Sequence, residues 1–130
     1  MQIDKETELF LKNRVNNKAK LHHLLEPNEL RQDRLRQLKE DNLTPPQILS
    51  VKDIIVKSAY NQDINLRFYF PQNFKQNKKN SIIIFFHGGG FVMGNLDTHD
   101  FTCRSICIES KMIVLAVDYS LSPEYKLICK

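Results

Sequence analysis

The stretch Ile82-Ile83-Ile84-Phe85-Phe86-His87-Gly88-Gly89-Gly90-Phe91-Val92-Met93-Gly94 decides the fold. Five apolar residues run into a histidine and then into all four glycines of the chain. An unbroken apolar run of this length reads as a strand buried on both faces of a parallel sheet. Glycine enters backbone conformations closed to other residues and lets the main chain approach a ligand closely. Such a loop at the carboxyl end of a parallel strand is a natural binding position. Two phosphate-binding patterns fail here. Counting G-x-G-x-x-G from Gly88 puts Met93 where the third glycine belongs, and Asn95 stands where GK[ST] requires lysine. Backbone N–H groups aimed at a developing oxyanion account best for the loop, with a ligand-free tight turn as the plainer alternative.

Downstream, Asp97 or Thr98 is placed to cap a helix running to about Ser110. Met112 to Val117 is a second uniformly apolar strand, so strand, helix and strand form a βαβ crossover, expected to be right-handed. Upstream, Val51 to Lys57 and Ile64 to Phe70 are β-branched and aromatic runs separated by the turn residues Asn61-Gln62-Asp63. Leu66, Phe68 and Phe70 alternate with Arg67 and Tyr69, the period of a strand with one polar face. A polar loop, Gln72 to Asn80, leads to the deciding stretch. Thr44-Pro45-Pro46 marks a boundary, because the residue before proline is pushed out of the helical region. The first forty residues read as helical, with Leu9, Phe10, Leu21, Leu24 and Leu25 as apolar positions. Glu26-Pro27-Asn28-Glu29 divides them, since proline suits a helix's first turn and not its interior. A second helix follows, with Leu30, Leu35 and Leu38 on one side and Arg31, Arg34, Arg36 and Lys39 around it.

The 130 residues suit one modest domain or part of a larger one. A hydrophobic share of 42% and a charged share of 26% are those of an ordinary globular chain. The net charge of +4 comes from basic residues without aromatic interleaving, so they read as solvated faces and nucleic acid is not expected as a partner. The charged N-terminus lacks the apolar core of a signal peptide, and no stretch approaches the ~20 apolar residues that span a membrane. Cys103 and Cys107 lie four apart on the expected helix, a poor geometry for a disulfide, and Cys129 stands alone. Buried reduced thiols and a cytoplasmic setting are expected. His22 and His23, adjacent on a helix, point in different directions and read as surface histidines rather than metal ligands.

The stretch from Ile83 to His99 closely resembles the histidine-glycine signature of the hormone-sensitive-lipase-like esterases, an α/β-hydrolase family of acetyl esterases and other carboxylesterases. The run Val117-Asp118-Tyr119-Ser120-Leu121-Ser122-Pro123-Glu124 is similar to the family's Asp-Tyr-Arg-Leu-Ala-Pro-Glu segment, with Ser120 in place of arginine and Ser122 in place of alanine. Pro27-Asn28-Glu29-Leu30-Arg31 and Asn65-Leu66-Arg67-Phe68-Tyr69 are similar to its cap helices and second strand. The resemblance covers roughly Leu25 to Tyr125, most specifically Ile82 to Glu124. It implies a helical cap segment at 1–44. Residues 45–130 would then be the N-terminal part of an α/β-hydrolase domain, with four strands of a mostly parallel sheet and one crossover helix, incomplete.

The resemblance also implies roles. Gly89 and Gly90, in the motif His87-Gly88-Gly89-Gly90, would offer N–H groups to the oxygen of a tetrahedral intermediate. His87 would organise the loop and is not the catalytic base, while Phe91, His99, Tyr119 and Glu124 would give structural support. The substrate would be a small-molecule ester, with no cofactor and no metal. The nucleophile motif G-x-S-x-G would follow the strand after Met112–Val117, yet no glycine occurs after Gly94. Serine nucleophile, acid and base are therefore absent, and the polypeptide is expected to be inactive alone. A non-catalytic binding module and one half of a complementing pair are the alternatives. In this reading the strand Ile82–Phe86 becomes a bare sheet edge open to self-association.

Overall fold

A computed structural model describes residues 3–16 and 24–126. The β-branched runs on either side of the Asn61 turn fold into a hairpin. Strands β1 (Ser50–Lys57) and β2 (Asp63–Phe70) pair antiparallel along their whole length, from Ser50 opposite Phe70 to Lys57 opposite Asp63. Asn61 sits in the left-handed region at φ +58°, which asparagine tolerates better than most residues. Ser58 N–H closes the turn on Gln62 O at 2.8 Å.

Strand β3 (Ile82–Phe86), a helix at Asp100–Ser110 and strand β4 (Ile113–Asp118) form the expected crossover unit. β3 and β4 are parallel, in register from Ile82 opposite Ile113 to Phe86 opposite Val117. β4 also pairs with β2, antiparallel, which gives the order β1-β2-β4-β3. Parallel pairing is thus confined to β3–β4. The sheet of four strands and one crossover helix stands, but across these strands it is mixed rather than mostly parallel, because the tight hairpin forces β1 and β2 to run opposite ways.

Helices α1 (Lys5–Asn16) and α2 (Pro27–Asp41) precede the sheet, and the crossover helix is α3. Pro27 occupies the first turn of α2, where its missing N–H costs nothing, and Glu29 reaches back to Glu26 N–H at 3.4 Å. Leu21, His22, His23 and Cys129 lie outside the described residues. The residue flanking the start of α3 is His99, not Asp97 or Thr98. Thr98 instead closes a turn with Asn95, through Asn95 N–H to Thr98 Oγ1 and Thr98 N–H to Asn95 Oδ1, both 2.8 Å. The far end of α3 closes with Lys111 in the left-handed region and its N–H on Cys107 O at 3.1 Å.

Helix α3 covers one face of the sheet. Cys103 and Cys107 face inward as buried free thiols against Tyr69, Val114, Ala116, Ile48 and Leu96, with Ile83 and Phe85 packed alongside. Burial pushes the Cys103 thiol up to about 11, so it is inert at neutral pH. This arrangement corrects two expectations. The face carrying Arg67 and Tyr69 is the covered one, with Tyr69 fully buried, while Leu66 and Phe68 opposite are only half-buried. β3 is buried on one face rather than two, since Ile82, Ile84 and Phe86 remain 50%, 59% and 64% exposed. Their register neighbours Ile113, Leu115 and Val117 extend the same apolar face.

The charged groups on the α3 side are paired, whereas the buried Tyr69 hydroxyl has no hydrogen-bond partner among the described residues. Arg67 holds Asp53 with two hydrogen bonds, 2.8 and 2.9 Å, and Asp97 with one of 2.8 Å. Asp100 takes Arg104 Nε at 2.7 Å. A depression of about 550 Å³ lies among these side chains. Each of its carboxylates is already matched to a guanidinium, which makes it a fastening of β1, β2 and α3. The Arg67 contact holds the Asp53 carboxyl below its usual range.

Candidate functional site

At the carboxyl end of β3 the chain turns sharply through the glycines. Gly89, Gly90 and Gly94 have φ of +130°, +60° and +100°, a region other L-residues rarely enter. Gly89 O accepts the N–H groups of Val92 and Met93 at 3.1 and 3.0 Å, closing the turn. Among the described residues, neither Gly89 N–H nor Gly90 N–H donates to a protein acceptor. A methyl group placed at Gly88 or Gly90 would meet nothing within 4 Å, so the main chain there borders open space. The loop therefore presents unpaired N–H groups beside a vacant approach.

His87 lies beneath the loop, 5% exposed. Its ring is stacked between Tyr119, with centroids 4.3 Å apart and planes at 18°, and His99, at 5.3 Å and 24°. His87 Nδ1 lies 2.9 Å from Gly88 O, and since a carbonyl only accepts, this contact assigns the proton to Nδ1. Nε2 is buried and has no partner among the described residues. Tyr119 Oη donates to His87 O at 2.6 Å, pinning the residue where strand becomes loop. A glycine is required at Gly94, beside the ring, because a Cβ there would lie 2.4 Å from His87 Nδ1. Burial holds the His99 imidazole below its ordinary pKa, with the neighbouring His87 acting in the same direction.

No hydroxyl in this arrangement is set up as a nucleophile. Thr98 Oγ1 is 3.0 Å from His99 Nδ1, but it also accepts Asn95 N–H and lies 3.0 Å from Asn95 O, so it serves the turn. Ser122 contributes backbone, its N–H donating to Phe91 O at 2.8 Å. Phe91 is 57% exposed at the rim and sits at φ +61°, unusual for a bulky residue.

The sequence-predicted residues His87, Gly88, Gly89, Gly90, Phe91, His99 and Tyr119 are brought together by the structure. Glu124 lies to one side, where it meets Arg31 of α2. Arg31 donates to both Glu124 carboxylate oxygens, at 2.7 and 2.9 Å, and also to Val92 O and Ser122 O. The guanidinium holds the Glu124 carboxyl down at about 2. By sequence Arg31 belongs to the polar side of a helix. Its only textual signal was the run Pro27 to Arg31 shared with cap helices, and nothing local names acceptors 61 and 91 residues away.

A family model for the α/β hydrolase fold matches residues 83–129. The chain is 40% identical over 92 residues to Esterase LipI of Mycobacterium tuberculosis, covering 71% of this chain and 28% of that protein. It is 44% identical over 62 residues to an acetyl esterase of Salmonella schwarzengrund, covering 48% of this chain and 18% of that protein. Among solved structures, the ester-hydrolase EH1AB1 from the metagenome of Lake Arreo superposes with a TM-score of 0.80 at 27% identity, over 98% of this chain and 41% of that one. The chain spans less than a third of the length of these curated relatives. The described elements, the loop and the matched sequence agree: this chain belongs to the hormone-sensitive-lipase-like esterases of the α/β-hydrolase superfamily and covers part of that fold.

Proposed function

We propose that this chain supplies the oxyanion-hole portion of a carboxylic-ester hydrolase acting on small-molecule esters. The observation that carries the reading is the pair of unpaired N–H groups at Gly89 and Gly90, beside open space at the carboxyl end of β3. When a nucleophile attacks an ester carbonyl, its oxygen gains negative charge, and fixed N–H dipoles stabilise that charge without reorganising. Loss of one such donor typically costs about 10²–10³ in rate. The stack of Tyr119, His87 and His99 keeps the donors fixed, and the His87 ring meets Gly88 O through Nδ1 and no hydroxyl among the described residues. The relatives' names, esterase and acetyl esterase, support the same chemistry.

In this reading residues 1–44 are a cap segment and 45–130 belong to the hydrolase domain. The serine, acid and base are contributed by residues outside these 130, which contain no G-x-S-x-G. A polypeptide of these residues alone should give no turnover of p-nitrophenyl acetate above background. Saturable turnover would show that a nucleophile has been overlooked. The donors are tested separately, by titrating the ¹⁵N-labelled chain with an alkylphosphonate monoester, whose anionic oxygen mimics the intermediate. Gly89 and Gly90 N–H resonances should move downfield while β4 stays put. A titration that leaves both glycines unmoved removes the oxyanion reading.

A further inference from the structure

We propose that Arg31 is a positioning residue: anchored by Glu124, its guanidinium fixes the main chain at Val92 and Ser122 and so sets the aim of the Gly89 and Gly90 N–H groups. The proposal rests on the oxyanion reading only for what those groups are aimed at. The clamp itself stands on geometry. Nε donates to Val92 O at 2.7 Å, Nη1 to Glu124 Oε1 at 2.7 Å, and Nη2 to Glu124 Oε2 and Ser122 O, both at 2.9 Å. One planar side chain thereby joins α2, the loop after Gly90 and the segment after β4.

Phe91 explains why such a clamp is needed. A bulky side chain at φ +61° is strained and persists only where its surroundings over-determine it. Here Ser122 N–H holds Phe91 O, and Arg31 holds the next carbonyl, Val92 O, together with Ser122's own. Without the guanidinium both carbonyls lose their donor. Phe91 is then free to relax toward negative φ. That rotation turns the Gly90–Phe91 peptide, which carries Gly90 O, and through the Gly90 backbone shifts the preceding peptides that carry the Gly90 and Gly89 N–H groups. Lysine cannot replace the arginine, because a single ammonium lacks the rigid fork that spans four acceptors.

Amide hydrogen exchange of the ¹⁵N-labelled 130-residue chain reads the effect directly. Val92 and Met93 N–H groups are bonded to Gly89 O, and Ser122 N–H to Phe91 O. In Arg31→Ala these three amides should exchange about 10- to 100-fold faster, with Val114 and Ala116 of β4 unchanged. Added methylguanidinium should restore the slow rates in Arg31→Ala. Arg31→Lys should stay fast, which also serves should the alanine variant unfold. Unchanged loop rates, equal acceleration in loop and β4, lysine behaving as arginine, or Gly89 and Gly90 N–H chemical shifts identical in Arg31→Ala and the parent would each overturn the proposal. A loop that responds as expected in a chain whose glycines ignore the phosphonate would keep Arg31's role and discard the oxyanion reading.

Discussion

Alanine at each of the four glycines gives a graded test of the loop, because the structure assigns each a different cost. At Gly88 the added methyl meets nothing and no positive φ is needed. The substitution should be neutral or stabilise by up to about 1 kcal/mol, through the smaller entropy of the unfolded chain. Gly90 has the same open space but φ +60°, so alanine there carries the left-handed penalty of about 1–2 kcal/mol. At Gly89 a Cβ would lie 2.0 Å from Met93 O, and at Gly94 2.4 Å from His87 Nδ1. The Met93 carbonyl belongs to the turn itself, and the His87 ring is held on both faces by Tyr119 and His99. Neither can retreat cheaply. Overpacking adds about 1–3 kcal/mol to the backbone strain at each site. For a domain near this size roughly 1 kcal/mol corresponds to about 4 °C in Tm. Thermal melts followed by circular dichroism should therefore rank the variants Gly88→Ala, Gly90→Ala, then Gly89→Ala and Gly94→Ala, the last two falling by about 10 °C or more. Gly88→Ala melting as low as Gly94→Ala, or Gly94→Ala melting with the parent, would refute the loop geometry.

Removing the Tyr119 hydroxyl, as Tyr119→Phe, deletes the 2.6 Å bond to His87 O and should lower stability by about 1 kcal/mol in urea titration. An unchanged midpoint would mean the stack holds His87 without it. Acid should loosen the site in two stages. His99 has a folded pKa below its ordinary 6.5, so its contribution is complete above that value and is lost as pH falls beneath it. Glu124, held at about 2 against an ordinary 4.5, adds a further loss as pH falls from about 4.5 toward 2. A Tm flat from pH 7 to 5 would contradict the first stage. The exposed residues of β3 favour pairing between copies of the polypeptide, and Ile84→Lys should shift sedimentation toward monomer. A parent chain already monomeric at high concentration would count against that edge.

Legibility of the fold in the sequence varied with the range of the forces involved. The β1–β2 hairpin is local: alternation set the strands, and Asn61 set the turn. Alternation shows that a strand has two faces but not which of them a helix will cover. That is why Tyr69 is buried and Phe68 only half-buried, against the expected polarity. The unbroken run of β3 likewise reports what both faces tolerate, while the described structure covers only Ile83 and Phe85. In the site, the glycines and His87 were legible because a special backbone conformation leaves a mark in residue type. Arg31 left no mark of its partners, since a guanidinium on backbone carbonyls requires no particular residue at Val92 or Ser122.

The contacts that fasten the loop also have a history in time. Tyr119 meets His87 across 32 residues, and Arg31 meets Val92 across 61 and Glu124 across 93. Contacts so distant along the chain carry the largest closure entropy and tend to form last, well after a hairpin whose turn spans only a few residues. During synthesis Arg31 must wait for Glu124 to emerge before its fork is filled. Refolding should therefore be staggered, and pulsed hydrogen exchange is expected to protect the β1–β2 ladder before Val92, Met93 and Ser122. Simultaneous protection would show instead that loop and hairpin assemble in one cooperative step.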